Sequence, residues 1–257
     1  MKSDINLEKL LGCVDVPAQW VGLREVYESN TPRMIRDGVP VSNHFSSTHG
    51  IMVEVLVDGQ FGYYGTPDMS SESISKAAEK AYYQAKLASK SSTFHFDESA
   101  RPAHKGSYDS PYVKSREELS AGRMNSLLLE AYKHLKVSDK IVSASSLCEI
   151  IETEFRLVSS NGSDINQSFL MLGFDLRATA ADGTNQQTRT FGGMRGNCKQ
   201  VGLEYLDELE VVANASKIGE QALELLNAEE CPTGDLDIII APDQMMLQIH
   251  ESIGHAL

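Results

Sequence analysis

Apolar and polar positions alternate with a period of two in GIMVEVLVDGQFGYYG. Val53, Val55 and Val57 precede an Asp58-Gly59 turn, and Phe61, Tyr63 and Tyr64 follow it, so the run predicts a β-hairpin. The period then changes. Ile74, Ala77, Ala78, Ala81, Tyr82 and Ala85 recur at three- and four-residue intervals after a serine-rich start, which predicts a capped helix whose small-residue face lies close against a sheet. A short amphipathic stretch, Ile5 to Leu11, opens the chain, while residues 89–114 show no sustained periodicity and read as a long connection.

Ser115 and Glu118 have capping-box spacing, and Leu128, Ala131, Tyr132 and Leu135 mark the buried stripe of the helix expected to follow. Asn161-Gly162 and Asp182-Gly183 then punctuate a three-stranded antiparallel meander. Phe174, Leu176 and Ala178 share one face of it, with Asp175, Arg177 and Thr179 on the other. One helix is expected from about Tyr205 to Asn227, with Val212, Ala215, Ile218, Ala222, Leu225 and Leu226 on its apolar side. After CPTG, Leu236 to Ile240 reads as a short buried strand, and Pro242-Asp243 starts a last helix running to the final residue. Strands and helices come in blocks, so the fold class is α+β, with antiparallel-rich sheets packed against helices. The organisation along the chain is an N-terminal α+β subdomain over 1–110, a central helix-meander-helix subdomain over 115–230, and the truncated start of a catalytic domain over 231–257.

The chain has 257 residues, enough for a sizeable buried core, and 41% of them are hydrophobic. Its formal net charge of −13 excludes a general nucleic-acid binder, because protonating all 7 histidines would still leave it negative. Cys13, Cys148, Cys198 and Cys231 are widely spaced, with no C-x-x-C pair, and read as reduced thiols of a cytoplasmic protein. No stretch approaches the roughly 20 apolar residues that span a bilayer, so no membrane role is expected.

The sharpest chemistry lies in QIHESIGHAL. His250-Glu251-x-x-x-His255 places two imidazoles and a carboxylate on a predicted helix, the residue types that bind zinc and handle the protons of an attacking water. The spacing is awkward. At about 100° per residue, histidines five apart point roughly 140° away from each other on a regular helix. A π-bulge or a helix end is needed to bring them together, and Gly254 is the natural point of departure. Glu251 and His255 have the four-residue spacing, so Glu251 is either the base or a ligand. Set against this, a helical histidine is more often a surface residue than a ligand. Cys231 is most simply a turn residue, and His44, His49, His95 and His104 are most simply loop residues. Glu117-Glu118, Glu152, Glu154 and Glu229-Glu230 read as solvated faces.

The run CPTGDLDIIIAPDQMMLQIHESIGHAL resembles the TldD/PmbA family of modulator-of-gyrase peptidases, and FGYYGTPDMSSESISKAAEKAYYQAK and VSSNGSDINQSFLMLGFDLRATAADG are similar to its N-terminal strand-helix and central hairpin. The resemblance implies a cytosolic zinc metallopeptidase acting on unfolded or extended peptides. It further implies His250 and His255 as Zn2+ ligands and Glu251 as the catalytic glutamate. A third ligand, a cysteine, is expected beyond Leu257, so the chain is expected to be a fragment of the functional unit. The partner it implies is a TldD/PmbA-type subunit or a second copy in a dimer. An alternative role for the portion before residue 231 is a non-catalytic module that binds extended peptides at a sheet edge and pairs subunits.

Overall fold

The computed structural model describes residues 5–192 and 197–256. Its strands are β1 (Trp20–Arg36), β2 (Val39–Asn43), β3 (Ser46–Val57), β4 (Gln60–Thr66), β5 (Lys105–Asp109), β6 (Ile141–Ser159), β7 (Asp164–Asp182), β8 (Asn185–Thr190) and β9 (Cys198–Lys199). Its helices are α1 (Leu7–Leu11), α2 (Ser71–Ser89), α3 (Ala121–Leu135), α4 (Glu204–Glu208), α5 (Val211–Leu225) and α6 (Pro242–Ser252). The strands hydrogen-bond in the order β4-β3-β1-β6-β7-β5, with β2 on β1 and both β8 and β9 on β7. The sheet is mostly antiparallel and packed with helices, as the α+β reading expected. The chain forms two compact units, each drawn from three segments rather than from consecutive stretches.

The first unit comprises the residues up to Ser29, with Ser46–Ser110 and Glu152–Phe169. Its β3–β4 hairpin turns through Asp58 and Gly59, both at positive φ (50° and 77°), as a two-residue hairpin turn of the primed type requires. Ser70 caps α2 by accepting a hydrogen bond from the Ser73 N–H at 3.2 Å. Ile74, Ala77, Ala78, Ala81 and Ala85 of α2 pack with Val21, Leu23, Ile51, Val53, Val55 and Val57, and α1 adds Leu7 and Leu10. The alanines let the helix backbone approach closely: a Cβ built on Gly62 of β4 would lie 1.9 Å from the Ala81 carbonyl oxygen. The stretch read as a connection contains β5, paired parallel to Asp164–Ser168. Every β5 residue is exposed, so the strand carries no hydrophobic period and is held by its ladder to β7.

The second unit comprises Asn30–Phe45, Pro111–Ile151 and the chain from Leu170 onward. Helices α3 and α5 bury Leu128, Leu135, Ala215, Ile218 and Ala222 with Ile141, Cys148, Leu172, Leu176 and Ala178 of the strands. The expected meander forms, β6 pairing with β7 and β7 with β8, and its turns pass through Gly162, which belongs to the first unit, and Gly183, both at positive φ.

Three expectations for this unit are corrected. Ser115 and Glu118 do form a box, the Glu118 carboxylate accepting the Ser115 N–H at 2.8 Å, but it closes one 3-10 turn. The helix itself starts at Ala121 behind a second cap, Ser120. The helix over 205–227 is two helices broken at Glu210, whose φ is +43°. At about 100° per residue, Tyr205, Leu206 and Leu209 occupy the face nearly opposite Val211, Ala215, Ile218 and Ala222, so one straight helix would leave one set in water. All seven are buried. Lastly, Leu236–Ile240 is neither a strand nor buried, and Ile239 is 100% exposed. A strand needs a neighbour's backbone, and among the described residues none pairs with it.

Candidate metal centre

Pro242 opens α6 at its first turn, where a missing N–H costs nothing. The helix does not run to the end of the chain as expected but stops at Ser252, its closing hydrogen bond running from Ile253 N–H to the Ile249 carbonyl at 3.0 Å. Ile253 leaves helical geometry (φ −125°, ψ −45°), and Gly254–Ala256 form a 3-10 turn. The departure thus begins one residue before Gly254. It removes the angular obstacle, because His255 no longer continues the helix and its ring comes to 4.5 Å from that of His250, centroid to centroid.

Glu251 sits between the two rings. One carboxylate oxygen is 3.9 Å from His250 Nε2 and the other 3.8 Å from His255 Nε2. One donor atom from each of the three residues lies within 4.8 Å of the others, and all three side chains are exposed. Tetrahedral zinc donors at roughly 2.1 Å from the metal are about 3.4 Å apart, so small rotations of exposed side chains would close this set onto a cation. Two imidazoles and a carboxylate are a donor set that suits zinc. Glu251 lies within reach of both roles, ligand and base.

The other candidates lie elsewhere. Cys231 is exposed, its Sγ 3.8 Å from the Pro232 carbonyl. Cys13 donates to the Lys9 carbonyl at 3.3 Å. Cys148 is sealed in the core, where burial pushes its thiol up to about 12, and burial also raises exposed-edge Cys198. His44 meets Ser42 Oγ at 3.3 Å, His95 packs against Gly59, and the His104 backbone N–H donates to Ser163 Oγ.

His49 departs from the loop reading. It lies on β3 with Nε2 2.8 Å from Glu25, whose other oxygen accepts from Arg156 at 3.0 Å. Glu25 is 3% exposed at its side chain. Glu152 likewise is not merely solvated, since it accepts from Ser29 Oγ at 3.2 Å. The Glu25 cluster went unnoticed in the sequence because its members sit on three strands. The available signal was a carboxylate at an inward position of β1, two residues after buried Leu23.

Residues 21–85 match the family model for PmbA/TldA metallopeptidase domain 1, and residues 114–228 match that of the PmbA/TldA metallopeptidase central domain. Residues 250–255 lie outside both ranges. A metalloprotease of Methanocaldococcus jannaschii is 24% identical over 254 residues, covering 98% of this chain and 54% of that protein. One from Methanothermobacter thermautotrophicus is 24% identical over 255 residues, covering 97% and 53%. The chain therefore spans about half the length of these curated relatives. In fold it is similar to a candidate modulator of DNA gyrase from Thermotoga maritima, with TM-score 0.63 at 15% identity over 84% of this chain and 46% of that one. TldE from Thermococcus kodakarensis gives TM-score 0.54 at 15% identity, over 86% and 47%.

Proposed function

Because this chain belongs to the PmbA/TldD metallopeptidase family, we propose that it serves in a zinc-dependent peptidase acting on unfolded or extended peptides, with His250 and His255 as metal ligands. The convergence of His250, Glu251 and His255 at the broken end of α6 carries this reading. A bound zinc would supply Lewis-acid polarisation of the scissile carbonyl and acidify the attacking water. As base, Glu251 would take the proton lost by the water whose oxygen bonds to the carbonyl carbon. The same carboxyl can then return a proton to the amine as the C–N bond breaks.

The supports are the donor set, the family and the relatives named metalloproteases. A cytoplasmic setting and pairing with a TldD/PmbA-type subunit, or with a second copy, belong to the same proposal. Four free thiols favour a reducing compartment, and among the described residues no helix is long and apolar enough to cross a membrane.

Zinc titration of the purified chain followed by calorimetry tests the ligand assignment. His250→Ala and His255→Ala are each expected to weaken binding at least about tenfold. Zinc affinity unchanged in both variants would overturn it. Glu251→Gln separates the two roles of the glutamate: retained zinc with lost peptide hydrolysis in the full-length enzyme marks a base, and lost zinc marks a ligand. A second reading is a non-catalytic peptide-binding and subunit-pairing module, favoured by the fact that both matched family ranges end before residue 229.

A further inference from the structure

The second unit carries a depression of about 390 Å³ on the side of its strands facing away from α3 and α5. This lies within the size range of small-ligand sites, roughly 300–1,000 Å³. Three strands supply its side-chain lining, Met34 and Arg36 from β1, Ser143, Ser145 and Leu147 from β6, and Asp175, Arg177 and Thr179 from β7, with Ala144 of β6 also bordering it. Their parity explains the grouping, since Ile35, Ala144, Leu176 and Ala178 alternate with them and point into the core.

Two features of this lining are unusual for a protein of net charge −13. Arg36 and Arg177 form no ion pair among the described residues, and Arg36 reaches only the Met34 sulfur there, at 3.9 Å. The neighbouring Asp37 carboxylate is already engaged by the Ala144 N–H at 2.9 Å and the Ser143 hydroxyl at 3.2 Å. Second, the Leu176 and Phe191 N–H groups lie near the Asp175 carboxylate, yet its Oδ1 is buried with no donor in hydrogen-bond geometry. A buried acceptor without a donor is costly, and each such atom asks for an explanation.

We propose that this depression holds the C-terminal carboxylate of an extended peptide, Arg36 and Arg177 taking the carboxylate and Asp175 Oδ1 accepting the N–H of the terminal residue. Planar guanidinium groups match a carboxylate in geometry and charge. The orphaned oxygen selects among anions. A peptide terminus carries an N–H donor two bonds from its carboxylate carbon and brings a single negative charge beside Asp175, where inorganic phosphate at neutral pH brings up to two. Ser145 supplies a further hydroxyl at the wall, and Leu147 and Met34 an apolar surface for the terminal side chain.

The inference rests on the peptide-directed reading above and would anchor one end of such a substrate. Its test is separate from metal binding. Fluorescence anisotropy of the full chain, with no metal added, would compare an N-terminally labelled unstructured pentapeptide ending in a free acid with the same peptide ending in an amide. The acid is expected to bind at least about tenfold more tightly. Arg36→Gln and Arg177→Gln, both exposed and expected to leave the circular dichroism unchanged, should each remove most of that preference. Equal binding of acid and amide, a preference surviving both substitutions, or displacement by inorganic phosphate as effective as by unlabelled acid peptide would each overturn it. Any of these results would leave zinc binding by His250 and His255 unaffected, and loss of zinc binding would leave this assay unaffected.

Discussion

Asp175→Asn is expected to stabilise the second unit by about 1–2 kcal/mol at pH 7.5. Burial pushes the Asp175 carboxyl up to about 6 from an ordinary 3.8, against the opposing pull of the Leu176 and Phe191 N–H groups and the Arg177 charge. A shift of that size is worth about 3 kcal/mol at 1.36 kcal/mol per unit. The side chain is only partly withdrawn from water, and solvent screening reduces the figure to about half. The sign follows from proton counting. Between about pH 4 and 6 the native state holds a proton that the unfolded chain has released, so stability falls as pH rises through this window, and the full penalty is present above it. Asparagine keeps the shape and cannot ionise. Urea denaturation followed by far-UV circular dichroism at pH 4 and pH 7.5 measures the difference between parent and variant. Hydrogen exchange at the Leu176 and Phe191 amides localises it, because the single Trp20 belongs to the first unit. A variant no more stable than the parent at pH 7.5, or a gain equally large at pH 4, would refute the argument from burial.

Three further outcomes are expected. Gly62→Ala should cost roughly 2–4 kcal/mol, read from Trp20 fluorescence in urea, because its Cβ would meet the Ala81 carbonyl oxygen at 1.9 Å and the Ala85 nitrogen at 2.9 Å, and backbone atoms cannot rotate aside. Arg156→Leu should cost about 3 kcal/mol by leaving buried Glu25 with His49 alone, and adding Glu25→Gln should restore part of it, which a double-mutant cycle would register. Gly254→Ala meets only ordinary contacts, the nearest being His250 Nδ1 at 3.6 Å, and favours helix by about 1 kcal/mol. It should therefore weaken zinc binding without unfolding the chain, by carrying the helix toward His255 and turning that ring away from His250.

Where one residue's environment comes from its near neighbours, the sequence was enough. The β3–β4 hairpin, the alanine face of α2 and the β7 alternation follow from local period and turn chemistry, and each is present. Where the environment comes from distant strands, it was not. Glu25, His49 and Arg156 are separated by 24 and 131 positions and meet through sheet pairing, as do the two arginines around Asp175. The Leu236–Ile240 run shows the limit from the other side, since its apolar letters are those of a buried strand but burial requires a partner surface that composition does not specify. The three letters of the metal motif fall between these cases. They name the donors, yet on a continued helix the same letters would point the imidazoles about 140° apart. What makes them a candidate centre is the ending of α6 at Ser252, so the backbone break after that residue is as much a part of the donor set as the side chains are.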